Sequence, residues 1–140
     1  MKTLFKSILL LSIFLLSSCN KDSNDDDDYD DVRNNAELIM GVWQIETRLI
    51  NNNPQNLDNC EILETISFSE DLIYDKVTFS GNSCEIETQT TGTITYNNEE
   101  TNFTVIGQNF GFRAFILNID ENNLTLAYDE SELEERFTKL

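Results

Sequence analysis

Thiols, carboxylates and a missing imidazole set the range of chemistry open to this sequence. It has three cysteines, Cys19, Cys60 and Cys84, and no histidine. The commonest general acid or base is therefore absent, and no serine, threonine or cysteine stands in a recognisable nucleophile–base pattern. A structural zinc site takes four ligands, and Cys60 with Cys84 supplies only two thiolates. The run Asp25-Asp26-Asp27-Asp28 offers the oxygen ligands that calcium takes, but it lacks the glycine turn and spaced ligands of an EF-hand loop. Glu64 is the one carboxylate on an otherwise apolar face, and a place near a strand end or facing a barrel mouth accounts for it without catalysis. The sequence thus predicts a protein that is not an enzyme and that uses neither metal nor cofactor.

Cys19 is placed unlike the other two cysteines. Lys2 and Lys6 precede an apolar run over residues 8–16, broken only by Ser12, and Ser17 and Ser18 lead into the thiol. Charge, apolar core and small residues in that order form a secretory leader. The run is too short to span a bilayer, which takes about 20 residues. Leu15-Leu16-Ser17-Ser18-Cys19 resembles the signal of bacterial lipoproteins. That resemblance implies removal of residues 1–18, a diacylglycerol on the Cys19 thiol and an acylated new amine. Two or more acyl chains anchor stably where one does not. A leader cleaved without lipid and a buried N-terminal helix are the alternatives.

Residues 19–34 follow as an acidic tether. With almost no apolar content and strong self-repulsion, they are predicted to be extended and disordered. An acidic stretch just after the lipidated cysteine resembles the surface-export signal of Bacteroidetes lipoproteins. This implies an outer-membrane lipoprotein whose domain faces the medium, with a periplasm-facing domain as the alternative. Once Cys19 is assigned to lipid, Cys60 and Cys84 remain as an even pair in an oxidising compartment. A disulfide between them would contribute about 3 kcal/mol in the chain-entropy model. Two free, buried thiols are the alternative.

Charge narrows the partners. The whole chain carries a formal −17, and from Ala36 onward 19 acidic side chains face five basic ones. Nucleic-acid readers need a basic footprint, so nucleic acid is excluded as a partner. Anionic headgroups would repel the domain, which leaves the lipid on Cys19 as its hold on the membrane. A cationic ligand or partner would be attracted, within a screening length of about 8 Å at physiological salt.

The elements that must position these groups read as strands. Residues 34–40 predict a short helical turn with Asn35 as its cap, ended by Gly41. Trp43, Ile45, Thr47 and Leu49 then alternate with Val42, Gln44, Glu46 and Arg48, the period of a half-buried strand. Later segments set Ile62, Glu64, Ile66 and Phe68 on one face, Ile73, Val77 and Phe79 on another, and Phe115, Leu117 and Ile119 on a third. Gly92 predicts a bulge or kink. Glu121-Asn122-Asn123 turns the chain between two apolar strands. Leu133, Glu135 and Phe137 alternate in a closing strand that can pair with the first. About eight short strands in hairpin order predict an all-β, antiparallel up-and-down barrel over residues 35–140.

These elements together resemble small lipocalin-like lipoproteins of Bacteroidetes. The resemblance rests on Gly41-Val42-Trp43, the cysteine pair, Thr91-Gly92-Thr93-Ile94-Thr95-Tyr96, the hairpin Ile119-Asp120-Glu121-Asn122-Asn123-Leu124-Thr125-Leu126 and the closing Arg136-Phe137-Thr138-Lys139. It implies that Trp43 plugs the closed end of the barrel, with Arg113 or Arg136 lying across its indole. It also implies binding of a small apolar ligand at the mouth, with Phe68, Phe79, Tyr96, Phe103, Phe115, Leu117 and Tyr128 as candidate lining. The chain is shorter than a full-length lipocalin and lacks the C-terminal helix of that family, which speaks against a large cavity. The alternative is a non-catalytic interaction lipoprotein: a solid barrel that contacts a partner protein.

Overall fold

A computed structural model describes residues 34–129 and 131–140. The predicted leader, the lipidation site Cys19 and nearly all of the tether lie outside them. A single helical turn, α1 (Asn35–Leu38), precedes nine strands: β1 (Gly41–Ile50), β2 (Asn53–Pro54), β3 (Thr65–Phe68), β4 (Ile73–Ser80), β5 (Glu85–Tyr96), β6 (Asn102–Gly107), β7 (Gly111–Ile119), β8 (Asn123–Tyr128) and β9 (Leu133–Lys139). From β3 to β9 each strand pairs with its sequence neighbours, and every pairing is antiparallel. β1 bridges the two ends by pairing with β3 on one side and β9 on the other. Eight strands thereby close into a lipocalin-like barrel. β2 is a flap on the distal part of β1, which the short β3 does not reach. Closure pairs the first and last strands that an open meander would leave as edges, although residues 85–91 of β5 run beyond β6 and pair with β4 alone.

Local chemistry sets the turns. Asn51 and Asn52 both take positive φ, 52° and 60°, as a two-residue hairpin turn demands, and asparagine tolerates that conformation. Asp120 accepts the backbone N–H groups of Asn122 and Asn123 at 2.8 Å each. Those two N–H groups, with the Asn123 side chain, hold its carboxyl below the usual range. The cap of α1 is Asn34, one residue earlier than expected, accepting from the Glu37 N–H at 2.8 Å.

Inward-facing side chains make one core. Ile39, Trp43, Ile66, Phe68, Ile94, Phe103, Val105, Ala114, Leu124, Leu126 and Phe137 are all buried and in mutual contact. Phe68 meets Tyr74 and Phe103 edge to face at centroid distances of 5.6 and 5.4 Å, the geometry aromatic quadrupoles favour. Gly92 is not a bulge. It pairs regularly with Tyr74 and Gly107, and a Cβ there would lie 2.5 Å from the Val105 Cγ1. The register shift of β5 falls instead around Glu87, between the Thr78↔Thr88 and Phe79↔Ile86 pairs.

Two strands turn the other face inward from the one expected. In β4 the buried residue is Tyr74, while Ile73, Val77 and Phe79 stay half-buried outside the core. In β7 Ala114 is fully buried, whereas Phe115 and Leu117 are exposed, Leu117 at 56%. Both faces of β7 are apolar, so alternation alone cannot choose between them. Ala114 lies opposite Phe103 on one side and Tyr128 on the other, and only a small residue fits between two rings. A register shift after Ile116 then restores Ile119 to the inner side.

Candidate functional site

The two ends of the barrel carry different chemistry. At the floor, Trp43 is fully buried and its indole N–H donates to the Ile39 carbonyl at 2.6 Å. The cation across its ring is Lys139, with Nζ 4.8 Å from the centroid and donating to the Leu38 carbonyl at 3.0 Å. Neither Arg113 nor Arg136, the expected candidates, is there. Arg113 pairs with Asp129 at 3.5 Å and Arg136 with Glu134 at 2.9 Å, both on the outer surface. Gly41 makes room for the lysine: its φ is +122°, and a Cβ would come within 2.9 Å of Lys139 Cε.

At the mouth a disulfide joins Cys60 to Cys84 with Cα atoms 5.0 Å apart. It ties the start of a 3₁₀ turn (Glu61–Leu63) to the β4–β5 turn. Asp58 sets that 3₁₀ turn by accepting from the N–H groups of Cys60 and Glu61 at 2.7 and 2.8 Å. The Glu61 and Cys60 N–H groups in turn hold its carboxyl below the ordinary value.

Below this bridge lies a group of charged side chains inside the barrel. Arg48 donates from Nε to Glu135 at 2.9 Å, from Nη1 to Glu61 at 2.9 Å and from Nη2 to Glu64 at 2.8 Å. Tyr128 donates its hydroxyl to the second oxygen of Glu135 at 2.7 Å. Lys76 stands 3.8 Å from both Glu64 and Glu135, beyond hydrogen-bond range, and is more exposed than either. Three carboxylates against two cations leave the five groups at a formal −1. Burial pulls the Arg48 guanidinium down, but the bond to Glu135 and the charges of Glu135 and Glu64 outweigh it, so its pKa is raised. Burial first, and the Glu135 carboxylate second, push the phenols of Tyr128 and Tyr74 well up.

A register shift in β1 between Ile45 and Thr47 produces this arrangement. Strict alternation puts Arg48 on the polar face with Gln44 and Glu46. The extra residue turns it inward, opposite Glu135. The sequence does carry a signal for the cluster. Glu64 and Glu135 both fall on inward phases of apolar strands, and two buried carboxylates demand a cation.

The candidate lining residues separate. Phe68 and Phe103 are buried in the core, and Tyr96 and Tyr128 are partly buried against it. Phe79 is half-buried outside the core, and Phe115 and Leu117 face outward. Phe112, missed as a lining residue, meets Tyr74 at 5.5 Å and Tyr128 at 5.6 Å, so three rings form an aromatic wall beside the Arg48 group. The Tyr96 hydroxyl is buried with no hydrogen-bond partner, and its pKa is pushed up to about 12 by burial and then by Glu100.

Comparison with known proteins agrees with this geometry. The model of a lipocalin-like domain family matches residues 39–126. A lipocalin-like protein from Bacteroides uniformis ATCC 8492 superposes with a TM-score of 0.58 at 12% identity, over 74% of this chain and 99% of that one. A DUF4847 family protein from Bacteroides vulgatus ATCC 8482 does so with a TM-score of 0.50 at 14% identity, over 72% and 93%. At such identities these likenesses speak for the fold. No curated protein sequence matches. A lipocalin-like barrel is a fold suited in general to holding ligands and is generally non-enzymatic. With the family model covering more than half of the sequence, from the residues of the Trp43 floor to the core of β8, the chain belongs to the lipocalin-like domain family.

Proposed function

We propose that this chain is a non-catalytic binding lipoprotein, anchored in the outer membrane by lipid on Cys19 and displayed on the cell surface, that takes a small amphipathic ligand at the barrel mouth. The observation that carries the ligand reading is the change of interior at mid-barrel. The floor half is filled by side chains at or near zero exposure. The mouth half holds the aromatic wall of Tyr74, Phe112 and Tyr128 beside the Arg48 group, with Lys76 as its most exposed cation. A large apolar ligand has no room at the floor. A ring-bearing ligand could stack on the wall and meet polar groups above it. The formal −1 of the five charged groups, inside a strongly acidic domain, favours a neutral or cationic head over an anionic one.

Isothermal calorimetry tests this with two probes of matched shape, tryptamine and indole-3-propionate. The amine binds more tightly, and Phe112→Ala weakens it. Binding of neither probe, or preference for the carboxylate, sinks the reading. The anchor is tested separately by the mass of natively purified protein, which should carry acyl chains on Cys19. A mature chain without them defeats the anchoring proposal and leaves the ligand proposal standing. Protease shaving of intact cells should remove the domain, and its survival would favour a periplasm-facing domain.

A further inference from the structure

We propose that the free edge of β5 at the barrel mouth is a docking strip for a basic, extended segment of a partner protein, which adds to the sheet as an extra strand. This surface is distinct from the ligand site proposed above and does not depend on it.

β5 is the longest strand, with 12 residues. Its pairing with β4 runs from Glu85 to Thr93, whereas β6 pairs with it only from Gly92 to Tyr96. Residues 85–91 therefore have a strand on one side alone. In such a stretch alternate residues aim their N–H and C=O groups away from the sheet, where an incoming strand can bond them. The wall parts here because β6 stops early. The Gly107 N–H closes a turn by donating to the Phe110 carbonyl at 2.9 Å, and the Phe110 ring folds over Gly107 so closely that a Cβ there would lie 1.8 Å from it. Between the β5 edge and this turn lies a cleft of about 370 Å³, lined by Gln89, Thr90, Thr91, Gln108, Asn109 and Phe110. Five of its six lining side chains are amides or hydroxyls from β5 and the turn, placed to meet a polar backbone.

Charge chooses the occupant. Exposed Glu85 and Glu87 stand on the edge stretch, in a domain with 19 acidic and five basic side chains from Ala36 onward. A second copy would bring a strand carrying the same two glutamates, from an equally acidic domain, to this edge, and that like-charge repulsion disfavours it. A basic strand meets no such repulsion. The Cys60–Cys84 bridge holds the β4–β5 turn to the neighbouring 3₁₀ segment, so the edge is ordered before a partner arrives.

Amide hydrogen exchange on the folded, disulfide-bonded protein tests the proposal. The probes are a seven-residue peptide alternating lysine with threonine and its glutamate counterpart. The lysine peptide should slow exchange of the outward amides in residues 85–91 by about tenfold or more, the signature of bonds that open less often. The glutamate peptide should not, and salt should weaken the effect. The Glu85→Lys/Glu87→Lys variant, which changes only exposed side chains, should lose protection by the lysine peptide. The proposal is overturned by protection elsewhere, by no protection, by equal protection from both peptides, or by protection that rises with protein concentration when no peptide is present, which would mean a second copy.

Discussion

The floor and the mouth of this barrel each hold a cation against buried neighbours, and they do so by opposite means. At the floor, Lys139 meets a neutral ring and a neutral carbonyl, and its stem packs beside Gly41. The stability there comes from burying Trp43 and its apolar neighbours, and the ammonium is an addition of about 1 kcal/mol. At the mouth, Arg48 is surrounded by three carboxylates, of which Glu135 is 1% exposed. A buried ionic group costs desolvation, and it persists only while every charge is paired. The same barrel can therefore lose its floor cation at small cost but cannot lose its mouth cation alone.

The strongest way to break that contrast is to remove the hub. Arg48→Met leaves buried carboxylates uncompensated and should cost about 3–5 kcal/mol in urea unfolding. Arg48→Met combined with Glu64→Leu and Glu135→Leu should regain most of it, since apolar replacement of a whole buried ionic set is often neutral or stabilising. A triple variant as unstable as the single one would show that the network does more than satisfy its own charges. Next in size, Cys60→Ser/Cys84→Ser should lose about 3 kcal/mol by releasing the mouth loop in the unfolded ensemble, with the floor amides losing no more exchange protection than global stability does.

Alkali should reach the barrel interior through its phenols. Tyr74 and Tyr128 have folded pKa values raised well above the ordinary 10.0, and Tyr96 is raised to about 12. A raised pKa means that the folded state keeps its proton after the unfolded state has released it. The contribution is thus fully present below pH 10 and is lost as pH rises through the folded values. Phenolate absorbance of the native protein near pH 11 should therefore exclude these three tyrosines, and unfolding should become steeply easier above pH 10. A normal titration of all four tyrosines would refute this.

Two smaller effects sharpen the floor side. Lys139→Met should cost only about 1 kcal/mol in thermal unfolding; a loss as large as that of Arg48→Met would erase the contrast. Tyr96→Phe deletes a buried hydroxyl with no partner, so it should be neutral or stabilising by up to about 1 kcal/mol. A clear destabilisation would mean that the hydroxyl is bonded after all.

Much of the fold was legible from local pattern. The phases of Trp43 and Ile45, of Ile66 and Phe68, and of Leu124 and Leu126 matched their burial, because each strand has one apolar and one polar side. Where both sides are apolar, as in β7, the inward face was decided by Phe103 and Tyr128 across the sheet. At the site, Glu64 stood out in the sequence and Glu135 shared a face with Leu133 and Phe137. Arg48 was hidden by the register shift in β1, and Lys139 by its distance from Trp43 in the chain.

By itself the sequence determined an antiparallel barrel and its turns, because alternation and Asn and Gly turn chemistry are local properties. Only the tertiary structure decided which cation covers Trp43, which carboxylates gather on Arg48, and where β5 is left unpaired. Those depend on strand register, and register is a contact between residues far apart in the chain, where one extra residue exchanges the inside for the outside.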